Sequence, residues 1–396
     1  MILIDQPFVS DFLIETIKTN NFQLIATKEA KNLIADTNLN WISEEDAKHQ
    51  FLNDPNSRIY TNSENSLTWI FENLKATNLP NQIKFFKDKF AFRELTKDLF
   101  PNFLFQKIKI DEIQDFDISE VTLPFVIKPT LGFFSIGVHI VHNKADWDIA
   151  KKELKYKALK SIYPAEVLNT STFIIEEYIE GEEFAIDAYY NNNGEAVVLN
   201  ILHHKFSSST DVSDRVYSTS KTIILKHKET IETFLNLIGE KARLKNFPLH
   251  LEVRIDKNNS IKPIEINPQR FGGWCTTGDL SWYAFGINSY HYFFLNKKPN
   301  WDAIFENNKD EIYSIILLNN NSGIDPSEIC SFNFTKLQED LENILVIRKL
   351  DFKKYPAFGI LFIKTSKEKD DELEIILNSD LKSYIQRNKS AKIETK

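Results

Sequence analysis

His250-Leu251-Glu252-Val253-Arg254-Ile255-Asp256, followed by Ile261-Lys262-Pro263-Ile264-Glu265-Ile266-Asn267, reads as the two strands of one hairpin. In the first run apolar and polar residues alternate strictly. Leu251, Val253 and Ile255 therefore turn to one face, and His250, Glu252, Arg254 and Asp256 to the other. Asn258-Asn259 reads as a two-residue turn, because asparagine tolerates the left-handed backbone such a turn needs. That register sets Glu252 opposite Glu265 and His250 opposite Asn267. Two carboxylates facing one another on a sheet repel unless a cation lies between them. With an amide oxygen beside them they form an all-oxygen set suited to Mg²⁺, which takes one or two carboxylates plus substrate phosphates. The alternative is an exposed amphipathic hairpin whose Glu252 pairs with Arg254. The next residues, Asn267-Pro268-Gln269-Arg270-Phe271-Gly272-Gly273-Trp274, put a guanidinium beside the carboxylates and favour the metal reading.

Upstream of the hairpin, Thr172-Phe173-Ile174-Ile175 is an apolar strand that runs into Glu176-Glu177-Tyr178-Ile179-Glu180-Gly181-Glu182-Glu183, and an alternating strand follows. This describes a hinge between subdomains. Exposed backbone there can pair with a purine edge, and a carboxylate a few residues on can take ribose hydroxyls; an acidic solvated turn would have the same composition. Further upstream, Leu123-Pro124-Phe125-Val126-Ile127-Lys128-Pro129 is a strand ending in a lysine, followed by Thr130-Leu131-Gly132-Phe133-Phe134-Ser135-Ile136-Gly137-Val138. Gly132 and Gly137 let backbone N–H groups turn toward an anion, Ser135 adds a hydroxyl, and Lys128 supplies a point charge. Val138-His139 stands where a Walker loop needs Lys-Ser/Thr, so this is no P-loop. A surface hairpin with turn glycines is the other reading of the segment.

The rest of the chain sets limits. Residues 1–26 have a β-α-β rhythm, but the loop Asp5-Gln6-Pro7-Phe8-Val9-Ser10 holds no glycine, so no dinucleotide fingerprint is present. Residues 87–101 have helical spacing. Residues 301–396 are more polar and close with expected strands at Phe358–Ile363 and Leu373–Leu377. The 396 residues carry 48 Lys+Arg against 56 Asp+Glu, a net charge of −8 with no extended basic block, so nucleic acid is not an expected partner. No apolar stretch approaches a membrane span. Cys275 and Cys330 are too few for a disulfide framework, and the start Met-Ile-Leu-Ile-Asp-Gln-Pro-Phe turns acidic before an apolar leader forms, so the expected location is cytoplasmic. Lys205 to Tyr217 is a long polar stretch with the composition of a substrate clamp, in which Arg215 would fork a carboxylate; a surface loop is the plainer reading.

In this order and spacing, the lysine and glycine loop, the acidic hinge and the Glu252, Glu265, Asn267 hairpin resemble the ATP-grasp superfamily, and the carboxylate–amine ligases within it, over roughly residues 85–300. The resemblance implies an ATP-grasp fold of α+β and α/β character, two α+β subdomains gripping ATP. It implies a small Rossmann-like pre-ATP-grasp domain at 1–85, an ATP-grasp domain at 86–300 with subdomains at about 115–180 and 181–300, and a C-terminal α/β lobe at 301–396. It makes Lys89 and Lys128 the phosphate-contacting lysines and Gly132–Gly137 the loop over the triphosphate. Glu176, Glu177, Tyr178 and Ile179 become the adenine hinge and Glu183 the ribose ligand. Glu252, Glu265 and Asn267 become ligands of Mg²⁺ or Mn²⁺. Relatives place an arginine two residues after the metal asparagine. Here Gln269 stands there and Arg270 follows, with Arg254 on the strand face as a second candidate for the oxyanion-stabilising role. The implied activity uses ATP to activate a small-molecule carboxylate as an acyl phosphate that an amine attacks; a phosphotransferase, a carboxylase or a non-catalytic ATP binder on the same fold are the alternatives. The resemblance leaves room for a homodimer.

Overall fold

The computed structural model describes residues 1–54, 56–132, 137–158, 169–208, 214–306, 308–366 and 371–388. The chain divides into two units, Met1–Ile201 with Leu225–Trp301, and Leu202–Ile224 with Asp302–Lys396.

The first unit opens with four short strands, β1 (Ile2–Leu3), β2 (Leu24–Ile25), β3 (Trp41–Ile42) and β4 (Tyr60–Thr61), parallel in the order β3-β2-β1-β4. Helices α1 (Asp11–Thr19), α2 (Lys28–Leu33) and α3 (Glu44–Asn53) lie between them in sequence, each started by a hydroxyl cap: Ser10, Thr27 and Ser43 accept from the N–H three residues on. After α4 (Leu67–Asn73), α5 (Leu79–Lys87) and α6 (Lys89–Thr96) meet at Asp88. This residue ends one helix and caps the next, its carboxylate accepting from Phe90 N at 2.9 Å and Ala91 N at 3.2 Å. Lys89 thereby becomes the first residue of α6, and Arg93 follows one turn later on the same face.

A second, antiparallel sheet has the order β5-β8-β6-β7, from β5 (Phe105–Lys109), β6 (Phe125–Leu131), β7 (His139–Val141) and β8 (Asn169–Glu177). Alternation along β6 and β8 sends Phe125, Ile127, Phe173 and Ile175 into a core with Trp147 and Leu154 of α7 (Lys144–Ala158), and leaves Lys128, Ile174 and Glu176 on the opposite face. The chain continues through β9 (Glu182–Tyr190), β10 (Ala196–Lys205), β11 (Val216–Thr219), α8 (Lys221–Ala242), β12 (Phe247–Ile255) and β13 (Ile261–Pro268). Within the first unit these strands run β13-β12-β9-β10, so β13 is an edge. Gly181, between β8 and β9, has φ +129°, and a Cβ there would stand 2.6 Å from the Ile255 carbonyl oxygen, a position only glycine fills without displacing β12. Helices α9 (Thr276–Phe285) and α10 (Ser289–Phe294) complete the unit.

The second unit takes α11 (Trp301–Phe305) past its first residue, β14 (Ile312–Asn319), β15 (Ile329–Phe332), α12 (Phe334–Asp340), β16 (Ile344–Lys349), β17 (Ala357–Thr365), α13 (Asp371–Asn378) and β18 (Ile385–Arg387). Strands β11, β14, β17 and β16 pair in that order over a core that includes Ile316, Leu318, Phe358, Leu361 and Leu373. The strand expected at Phe358–Ile363 is part of β17. The one expected at Leu373–Leu377 is helix α13 instead, because its buried residues, Leu373, Ile376 and Leu377, recur at helical spacing while Ile375 is exposed. No helix among the described residues is long and apolar enough to cross a membrane.

Candidate active site

The hairpin β12–β13 places Glu252 opposite Glu265 and His250 opposite Asn267, as the alternation requires. It reaches this register by a different path from the expected one. The turn holds three residues, Lys257 to Asn259, with Asn259 at φ +59° and Asp256 N donating to Ser260 O. Val253 therefore faces Pro263, one residue out of step, and a bulge at Ile264 restores the pairing at Glu252. Glu265 is paired with Lys89, whose Nζ lies 2.7 Å from Oε2 and donates to Gly132 O at 3.1 Å. Burial would raise the Glu265 pKa, but Lys89 and Lys128 hold it well below the usual carboxylate range. Asn267 donates its amide nitrogen to Glu265 Oε1 at 3.2 Å, a bond that does not use its amide oxygen. Behind Glu252, His250 Nε2 stands 3.8 Å from its carboxylate while Nδ1 meets Asp187 at 2.7 Å. Asp187 also accepts from Gly272 N, at the start of the loop that follows Arg270.

A second charged cluster lies on the β6–β8 sheet. Glu176 and Lys128 are diagonal neighbours on the face away from α7, with Nζ 2.8 Å from Oε1. Arg93 approaches the same carboxylate through Nε at 2.7 Å and Nη2 at 3.1 Å. Burial acts to raise the Glu176 pKa, yet the two cations bring it down to about 2. Burial lowers that of Lys128, aided by Arg93 and Lys89 and opposed by Glu176.

Residues 121–278 match the family model described as an ATP-grasp domain. The chain carries an ATP-grasp domain. Its fold is similar to those of an L-amino acid ligase from Bacillus licheniformis (17% identity, 98% of both chains, TM-score 0.67), a biotin carboxylase from Campylobacter jejuni (11%, 98% of this chain and 91% of that one, TM-score 0.60) and an N5-carboxyaminoimidazole ribonucleotide synthetase from Thermotoga maritima (13%, 97% and 98%, TM-score 0.59). At these identities the likeness is one of fold. No curated protein sequence matches the chain.

Within the ATP-grasp domain the hinge starts later than its sequence suggests. Glu176 and Glu177 still belong to β8, so Glu176 is corrected from a hinge residue to a buried strand carboxylate, and Glu177 takes Lys262 at 2.8 Å and Leu104 N at 3.3 Å. The connection proper is Tyr178 to Gly181. Arg254 is bound to it: Nη1 donates to Ile179 O at 2.7 Å, Nε meets Glu183 Oε2 at 3.1 Å, and the guanidinium lies over the Tyr178 ring. The cause is register, since β12 pairs with β9 so that Arg254 opposes Glu183. Arg270 is buried near Glu252 and Glu265. It donates to Glu64 Oε1 at 2.9 Å and to Phe271 O at 2.9 Å. Of the two candidate arginines, Arg270 is thus the one at the carboxylates. Gln269, immediately before it, has φ +64°.

Arg215, expected to fork a substrate carboxylate, is corrected. It is 4% exposed in the second unit and donates to Leu377 O and Ser379 O at 2.9 and 2.5 Å, satisfying carbonyls at the end of α13. Gly137 has φ +76°, while Ser135 lies outside the described residues. Sequence reasoning missed Arg93, Glu64 and Lys87. Glu64, just past β4, binds both Arg270 and Lys87, whose pKa is pushed down by burial and by its neighbours Lys89 and Arg270. Helical spacing from Lys89 was the one available signal for Arg93.

The donor set fits a hard divalent cation. Among the described residues no three His, Cys, Asp or Glu side chains gather as a metal site. The hairpin instead offers two carboxylates and an amide, which leaves coordination positions for phosphate oxygens and water, the usual Mg²⁺ arrangement.

Proposed function

We propose that the protein is an ATP-dependent ligase that joins a small-molecule carboxylate to an amine and releases ADP and phosphate. The observation that carries this reading is the facing pair Glu252 and Glu265, with Asn267 beside them and Lys89, Lys128 and Arg270 around them, inside an ATP-grasp domain. Glu252, Glu265 and Asn267 would hold Mg²⁺ or Mn²⁺, which when bound supplies Lewis-acid charge to phosphate oxygens.

The chain's own residues do the rest. Lys128 shares its carboxylate with Arg93, so its ammonium keeps charge to offer a phosphate. Lys89 exchanges Glu265 for a phosphate oxygen as the γ-phosphoryl arrives. Tyr178 and Ile179 border the adenine, and Glu183, steadied by Arg254, takes the ribose. The acceptor carboxylate oxygen attacks the γ-phosphorus and the bond to the β-bridging oxygen breaks, giving an acyl phosphate and ADP. The amine lone pair then attacks the acyl carbon, Arg270 offsets the charge on the tetrahedral oxygen, and phosphate leaves as the amine proton passes to solvent.

The test is ADP release across paired acids and amines with Mg²⁺-ATP, with mass spectrometry of the product. The reading expects release that requires both partners, and a product one water lighter than their sum. Release that needs no amine overturns it in favour of a phosphotransferase or carboxylase.

A further inference from the structure

The bulge that brings Glu265 opposite Glu252 lies on an edge strand, paired with β12 on one side and, among the described residues, with no strand on the other. Without it, the register set by the three-residue turn would put Ile264 opposite Glu252 and turn Glu265 to the other face, since a one-residue slip reverses every side chain beyond it. Pro263 sits where proline is tolerated, at an edge and next to a bulge, but its ring does not choose between the two registers. Arg93 does touch the bulge. Its Nη1 donates to Pro263 O at 2.7 Å and its Nη2 lies 3.4 Å from Ile264 O, the two carbonyls on either side of the irregularity. The same guanidinium grips Glu176 on β8 and rests 4.8 Å from the Phe103 ring centroid. It is 4% exposed. Arg93 and Lys89 occupy one face of α6 a turn apart, so the helix meets β13 twice, at the bulge backbone and at the Glu265 carboxylate.

We infer that Arg93 is a positioning residue which, by clamping the Pro263 and Ile264 carbonyls, holds the bulge that keeps Glu265 facing Glu252. It touches no reacting atom; it acts through Glu265. The inference rests on the ligase reading for its readout, which is metal-dependent nucleotide binding. Lysine at position 93 keeps the charge beside Glu176 but has no planar fork to span a carboxylate and two carbonyls.

The experiment measures the affinity of a non-hydrolysable ATP analogue by calorimetry, with Mg²⁺ and with chelator, for the full chain and for Arg93→Lys. The wild type is expected to bind about ten-fold more tightly with Mg²⁺. In R93K that ratio is expected to fall to within about two-fold of unity, because charge is kept and geometry lost. Removing Ile264 in the R93K background deletes the residue that makes the bulge necessary and is expected to restore the ratio. A variant that loses thermal stability but keeps the wild-type ratio would show a merely structural arginine and overturn the inference. If R93K does not fold, recovery of soluble, folded protein on removal of Ile264 supports the inference and failure to recover overturns it. A wild type whose binding ignores Mg²⁺ overturns the ligase reading and this inference together, whereas a metal-dependent wild type with an unchanged R93K overturns this inference alone.

Discussion

The hairpin and the β6–β8 sheet each hold a small charged cluster, two facing carboxylates on the first and one carboxylate with two cations on the second. On the hairpin, two carboxylates, Glu252 and Glu265, face each other, with Lys89 paired to Glu265. On the sheet, one carboxylate, Glu176, stands between two cations, Lys128 and Arg93. Facing carboxylates favour a cation and a carboxylate flanked by two cations leaves room for an anion, because in low dielectric like charges held together are costly. On the ligase reading proposed above, the two clusters would serve the two halves of a metal–triphosphate complex. The difference lies in how neighbours divide the charges.

The largest effect that would break this comparison is expected at the acid-rich cluster. Glu265→Gln keeps size and strand fit but removes metal-ligand charge where it matters most, as negative charge moves onto the bridging oxygens. With the acid and amine found in the screen, kcat is expected to fall on the order of 10²-fold. Normal ADP release by this variant would remove the hairpin from the chemistry.

Glu176→Gln probes the base-rich cluster through stability. Leaving two buried cations with a neutral acceptor is expected to cost about 3 kcal/mol in denaturant unfolding at neutral pH. The pH dependence has a definite sign. Held at about 2 in the folded chain against 4.5 as its ordinary value, Glu176 contributes stability that is complete above about pH 4.5 and is lost as pH falls toward 2. The variant is expected to show a shallower acid loss across that window. Identical acid profiles for the two proteins would mean that Glu176 is not held by its cations.

Lys128→Met sharpens the contrast with the smallest change. Its charge acts on phosphate directly, so ATP affinity is expected to weaken about ten-fold, equally with Mg²⁺ and with chelator. A loss confined to the Mg²⁺ arm of the titration would place Lys128 with the metal cluster and erase the distinction.

Much of the acid-rich cluster was legible in the sequence because it is local. Period-two alternation over residues 250–256 and a turn a few residues long put Glu252 across from Glu265. That result survived a wrong turn length only because the bulge at Ile264 returned the residue that the three-residue turn had displaced. Lys128 was legible for a similar reason, standing at the end of an apolar strand before a glycine loop. The partners of these groups were not legible. Arg93 reaches Glu176 across 83 residues and Pro263 across 170, and Arg270 reaches Glu64 across 206. Such pairs leave no period or spacing in the chain, since nothing local relates an arginine on one element to a carbonyl on another. The polar stretch that suggested a substrate clamp was misread for the same cause: Arg215 found its acceptors 162 residues away, at the end of α13. By itself the sequence determined which strands alternate, where the carboxylates, lysines and glycines fall along them, and hence the kind of fold. Only the tertiary structure decided which charge neutralises which, because that balance depends on burial and on contacts between distant elements.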